Sequence, residues 1–155
     1  LICRKPIADA FWGDAEVNPG FVEGHTFEGN PISSAAGLAT VAEIVERDLC
    51  ANARKVGARL RAGLEGLRKH GIVGDIRGKG LFLGVEWVAD PATKRRIDPP
   101  IGIEIGRRAL QNGLLTRFDP HWLAIGPPLI LTDEQADQII AILDRTISDV
   151  IGQGT

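Results

Sequence analysis

Two positions in this chain carry groups able to grip an anion. One is Thr26, in Gly24-His25-Thr26-Phe27-Glu28-Gly29-Asn30-Pro31, where a hydroxyl and a glycine-flanked backbone stand just ahead of an expected helix start. Asn is a strong N-cap, and Pro is favoured at the first helical position, where its missing N–H costs nothing. The unpaired N–H groups and partial positive charge of such a helix end suit a phosphate or a carboxylate. A plain turn and cap would use the same residues, and spacing alone leaves both readings open. The other position is Arg117, closing the run Leu114-Leu115-Thr116-Arg117 shortly before Gly126-Pro127-Pro128-Leu129. A guanidinium there can fork onto a carboxylate through two parallel hydrogen bonds. It can equally sit at the surface, paired with Asp119 or Asp133.

Other chemistries find no matching pattern. Gly78-Lys79-Gly80 misses a phosphate-binding loop twice, because the partner glycine stands at Gly74, one residue late, and Gly80 occupies the place of the required Ser or Thr. A dinucleotide fingerprint fails at Leu83, where the third glycine belongs, so these glycines read as a hairpin turn. His25, His70 and His121 lack ligand spacing, which leaves no metal site, and no Gly-x-Ser-x-Gly elbow occurs. Cys3 and Cys50 are too few for a disulfide framework and read as reduced, partly buried thiols. His70, at a helix end, favours the negative pole of the helix dipole.

Composition narrows the classes further. A chain of 155 residues with 44% hydrophobic content is long enough for one globular domain. Eighteen basic against twenty acidic residues leave a net charge of −2, and the short run Lys94-Arg95-Arg96 has no interleaved aromatics, so nucleic acid is not an expected partner. No apolar run approaches the roughly 20 residues that span a bilayer, and no signal peptide is seen, which makes a cytoplasmic setting the default expectation. The chain starts at Leu1-Ile2-Cys3 and contains no Met, the pattern expected of a piece of something longer.

The elements that must position Thr26 and Arg117 follow from periodicity. A short helix is expected around Ile7 to Trp12. A second helix from Pro31 toward Glu46 carries Ala35, Leu38, Ala39, Ala42 and Val45 on one face expected to be buried. After a break near Asp48, Leu49, Ala53, Val56, Leu60, Leu64 and Leu67 continue a helical stripe to His70, stopped by Gly71. Strands are expected at 73–76 and 81–88, then a surface loop from Asp90 to Pro100. A helix with Ile101, Ile105 and Ala109 on one face ends at Asn112-Gly113. Strands at 114–118 and 122–125 follow. The last helix opens with a capping box, Thr132 with Gln135, and buries Ala136, Ile139, Ile140, Leu143, Ile147, Val150 and Ile151. The fold class is α+β, with helices packed on one face of a small, mainly antiparallel sheet.

These segments together resemble the C-terminal part of a class III aminotransferase, the pyridoxal 5'-phosphate enzymes of fold type I also called ω-transaminases. The matching pieces are the octapeptide 24–31 with Ala35-Ala36-Gly37-Leu38-Ala39, then Arg77-Gly78-Lys79-Gly80-Leu81 with Gly84-Val85-Glu86, then Gly113-Leu114-Leu115-Thr116-Arg117 with Pro127-Pro128-Leu129 and Thr132. The resemblance covers essentially the whole chain. It implies that residues 1–30 are a remnant of the large cofactor-binding domain's edge with its phosphate-contacting loop, and that 31–155 form a long linking helix and the small C-terminal domain. It implies that Thr26 bonds the cofactor phosphate of the neighbouring subunit in a homodimer with a shared active site, and that His25 contributes its backbone N–H. Arg117 matches the mobile arginine that binds the substrate carboxylate. Glu28 departs from the small residue more usual in that loop. The Schiff-base lysine of the family lies upstream of the segment that Leu1 to Phe11 resembles, so the chain alone is expected to be inactive. Lys5 matches a variable position and is expected to face solvent. The implied reaction transfers an amino group between an amine or amino acid and a keto acid. Two alternatives stand beside it: a free-standing α+β anion-binding or interaction module, and a mutase or racemase on the same scaffold.

Overall fold

A computed structural model describes residues 4–12 and 24–152, and the chain divides into two compact units, Leu1–Val41 and Ala42–Thr155. In the first unit, α1 spans Lys5–Asp9, shorter and earlier than the expected Ile7 to Trp12, because Pro6 at the start of the helix sets its entry. The rest of the chain ahead of Gly24 lies outside the described residues, Cys3 included.

Helix α2, Pro31–Glu46, begins where Asn30 and Pro31 predict: Asn30 Oδ1 accepts the N–H of Ile32 at 3.0 Å and of Ser33 at 3.1 Å. Its apolar face is not buried as expected. No residue of α2 is buried, and Leu38 and Val45 are 72% and 71% exposed. An apolar face becomes core only where another element covers it.

The second unit has a single core. Asp48, in the left-handed conformation at φ 43°, caps α3, Leu49–Gly66, by accepting the N–H of Ala51. The helix tightens into a 3₁₀ turn, Leu67–His70, and stops at Gly71 with φ 73°. Strands β1, Val73–Lys79, and β2, Phe82–Trp87, pair as an antiparallel hairpin with Lys79 opposite Phe82. The expected hairpin turn is formed, tighter than the four residues 77–80: Gly78 lies inside β1, and Gly80, at φ 56°, takes the corner. Helix α4, Gly102–Gln111, precedes β3, Arg117–Asp119, and β4, Trp122–Ile125. Of the expected 114–118 only Arg117 and Phe118 pair as strand, and β3 runs one residue further, to Asp119. Helix α5, Asp133–Gly152, opens with the predicted capping box: Gln135 Oε1 accepts the Thr132 N–H at 3.0 Å and Thr132 Oγ1 accepts the Gln135 N–H at 3.2 Å.

The sheet order is β1-β2-β4-β3, antiparallel throughout. Helices α3, α4 and α5 pack on one of its faces. Alternation along β2 places Leu83, Val85 and Trp87 in the core, and β4 does the same with Leu123 and Ile125. They meet Val56, Leu60 and Leu64 of α3, Ile105 and Ala109 of α4, and Ala136, Leu143 and Ile147 of α5. Burying each such aliphatic side chain is worth about 1.5–3 kcal/mol. Close approaches explain two helical glycines that are otherwise unfavourable: a Cβ on Gly57 would strike the backbone of Gly80 at the hairpin corner, and one on Gly106 would strike the Phe118 ring. The buried Thr146 hydroxyl is satisfied by Asn112 Nδ2 at 3.0 Å. His70 does more than complement a helix end, since its Nε2 lies 2.6 Å from Asp144 of α5, which Lys69 also contacts at 2.8 Å.

Candidate functional site

Thr26 belongs to a turn over 26–29, in which the Glu28 N–H bonds the His25 carbonyl at 2.9 Å and the Asn30 N–H bonds the Phe27 carbonyl at 3.2 Å. Gly29, at φ 71°, lets the chain reverse into the cap. His25 and Thr26 are both exposed, and the Thr26 hydroxyl has no hydrogen-bond partner among the described residues. At the helix end itself the plain cap is formed. Asn30 already takes the N–H groups of Ile32 and Ser33, so the donors expected to face an anion are spent on the cap. The Thr26 hydroxyl of the turn remains open to a ligand. Lys5 is tied to its own helix, 2.7 Å from Asp9, with its side chain 83% exposed.

In the second unit, the two-residue corner Pro120-His121 sets the register of β3 on β4, with Asp119 opposite Trp122 and Arg117 opposite Ala124. Arg117 and Trp122 therefore point to the sheet face away from the helices and stand diagonally across the strand pair, a separation that long and aromatic side chains bridge. The guanidinium carbon lies 5.6 Å from the centre of the Trp122 ring. Neither expected ion pair forms: among the described residues Arg117 pairs with no acid, and Asp133 is held by Lys55 at 3.0 Å. Arg77, across the same sheet face, contrasts with it. Arg77 lies 3.0 Å from Asp75 and 3.9 Å from Glu86, and its hydrogen bond to Asp75 holds that carboxyl below its usual range.

Arg117 stands on the wall of a pocket of about 670 Å³ that also takes in Phe82, Leu114, Leu115, Thr116, Trp122 and the Gly126-Pro127-Pro128 corner. The walls are mostly apolar and Arg117 is the cation among them. The Thr116 hydroxyl donates to the Ala124 carbonyl, which fixes the chain entering β3. The segment beyond Pro128 is held from α3: Asn52 Nδ2 donates to the carbonyls of Leu129 at 2.7 Å and Leu131 at 3.0 Å. Such a site can receive a small molecule with an apolar body and one anionic end. Sequence reasoning singled out Arg117 and missed Trp122 and Phe82. The available signal was the Asp119-Pro120-His121-Trp122 corner, since a two-residue connection fixes the register that sets 117 diagonal to 122. No group of three or more His, Cys, Asp or Glu among the described residues could hold a metal ion, and the described Cys50 is exposed, not partly buried as expected.

The profile of the family "Aminotransferase class-III" matches residues 2–147. A taurine–pyruvate aminotransferase of Bilophila wadsworthia is 39% identical over 95% of this chain and 34% of its own length. A leucine/methionine racemase of Thermococcus litoralis is 38% identical over 82% of this chain and 29% of its own. Among solved structures, a transaminase with L-ala superposes with a TM-score of 0.80 at 35% identity, covering 97% of this chain and 35% of that one. The chain thus spans about a third of the length of the relatives it matches. No helix of the described residues is long and apolar enough to cross a membrane.

Proposed function

The chain belongs to the class-III aminotransferase family, and from that premise we propose that it supplies the C-terminal part of a pyridoxal 5'-phosphate enzyme that transfers an amino group between an amine or amino acid and a keto acid. Residues 1–30 then carry the edge of the large domain and the phosphate-contacting loop, and residues 31–155 the linking helix and the small domain. The enzyme works as a cytoplasmic homodimer, and Thr26 serves the active site of the partner subunit.

The cofactor, when bound, supplies the electron sink that makes the substrate's α carbon acidic. This chain's residues bind and orient. The Thr26 hydroxyl, exposed and without a hydrogen-bond partner among the described residues, donates to a phosphate oxygen, and the family resemblance assigns the neighbouring His25 backbone to the same loop. Arg117 takes the substrate carboxylate in its fork, while the apolar walls formed by Phe82, Leu114 and Pro127 accept the rest of the molecule. The observation that supports this reading best is an arginine with no acidic partner among the described residues, standing on the wall of an apolar pocket.

The test is Arg117→Ala in the full-length enzyme. The Michaelis constant for carboxylate-bearing acceptors is expected to rise about tenfold to a hundredfold, the worth of a hydrogen-bonded charge pair. An unchanged constant removes the role. A second check uses this chain alone. Added pyridoxal 5'-phosphate is expected to give only the absorbance of the free aldehyde and no stoichiometric lysine-bound band; such a band trapped by borohydride at Lys5 overturns the assignment.

A second reading is favoured by the racemase relative, whose chemistry runs on a similar scaffold. Arg117 would hold the amino acid carboxylate there too. Product analysis with a single chiral amino acid and no keto acid separates the two, since only the racemase inverts its substrate under those conditions.

A further inference from the structure

We propose that Trp122 is a positioning residue for Arg117, holding the guanidinium on the open sheet face so that its fork is presented to a carboxylate; this rests on the reading of Arg117 as the carboxylate-binding group. Arginine is long and rich in rotamers, and an exposed one is ordinarily spread over many of them. Two kinds of neighbour can confine it, an acid or an aromatic face. An acid confines Arg77, whose guanidinium lies 3.0 Å from Asp75 and 3.9 Å from Glu86. That hold occupies the same donors a ligand would need.

Arg117 is confined in the other way. Its guanidinium carbon lies 5.6 Å from the centre of the Trp122 ring, inside the range of cation–π attraction. Such a contact consumes no N–H donor, so the bidentate edge stays available. The register makes the hold specific, because Asp119 opposite Trp122, and Trp122 opposite Glu86, set the indole between two acids on the same face. Neither Asp119 nor Glu86 forms an ion pair with Arg117, whose neighbour is the ring itself. Trp122 is also a wall of the same pocket, so the ring that holds the cation borders the space where a carboxylate would arrive.

The experiment measures, in the full-length enzyme, the ratio of kcat/KM for pyruvate to that for propanal, an acceptor without a carboxylate. Wild type, Trp122→Leu, Trp122→Phe and Arg117→Ala are compared. Trp122→Leu is expected to lower the ratio about two- to fivefold, the range that an exposed cation–π contact supports. Trp122→Phe, which keeps an aromatic face, restores most of it. Trp122→Val, a strand former, replaces the leucine variant if that one does not fold. A crystal structure of the leucine variant is expected to show the guanidinium displaced. The proposal falls if the ratio is unchanged in Trp122→Leu, if Trp122→Phe is as damaging as Trp122→Leu, or if the guanidinium keeps its place without the ring. When Arg117→Ala lowers the ratio and Trp122→Leu does not, the positioning role alone fails. When Arg117→Ala leaves the ratio unchanged, the carboxylate reading fails and this proposal with it.

Discussion

Helices α2 and α5 begin alike and end in different circumstances. Each opens on a polar side chain that caps its first turn, Asn30 in one and Thr132 in the other, and each carries apolar residues at three-and-four spacing. Yet α5 buries Ala136, Leu143 and Ile147 completely, while Leu38 of α2 is 72% exposed. The pattern of a helix states which side wants covering, and the cover is a property of everything else in the fold.

Truncating one residue on each stripe separates the two helices. Leu143→Ala is expected to cost about 2–5 kcal/mol by chemical denaturation, whereas Leu38→Ala stays within about 0.5 kcal/mol, as surface changes do. A loss above about 1 kcal/mol at Leu38 would mean that its face is covered after all. The caps sharpen the contrast at smaller scale. Asn30→Ala and Thr132→Ala each remove a cap worth about 1 kcal/mol. Only Thr132→Ala should lower the global denaturation midpoint, and Asn30→Ala should show as faster amide exchange confined to α2.

The smallest effect is electrostatic and belongs to α5. Hydrogen bonds first from Lys69 and then from His70 hold the Asp144 carboxyl below its usual range. A depressed carboxyl stabilises the fold at pH above its unfolded value, about 3.9, and that contribution disappears as pH falls through the lower folded value. The site is partly solvated, so the loss is at most about 1 kcal/mol. Asp144→Asn should flatten the fall in stability below about pH 4; an unchanged acid limb would show that the contact contributes nothing measurable.

How much could be read in advance followed the range of the interaction. The Thr132–Gln135 capping box and the Asn30 cap are local and were legible within four residues. The strands near β1 and β2 were legible because β-branched and aromatic residues run there between turn residues. The limits of β1 and β3 were not, since pairing decides where a strand ends, and Arg77 to Lys79 pair although their composition reads as a turn. Arg117 stood out by its chemistry. Its partner did not, because the Arg117–Trp122 contact exists only once β3 lies in register on β4. The exposure of α2 was beyond reach for the same reason in reverse, since no residue of that helix encodes its own cover.

The two hydrogen bonds from Asn52 have a practical bearing on engineering this scaffold. A single amide on α3 sets the height of the backbone at Leu129 and Leu131, directly after the proline corner that walls the pocket. Position 52 is thus a remote dial, and a library randomised there alone should reshape the mouth of the cavity without placing one new atom inside it.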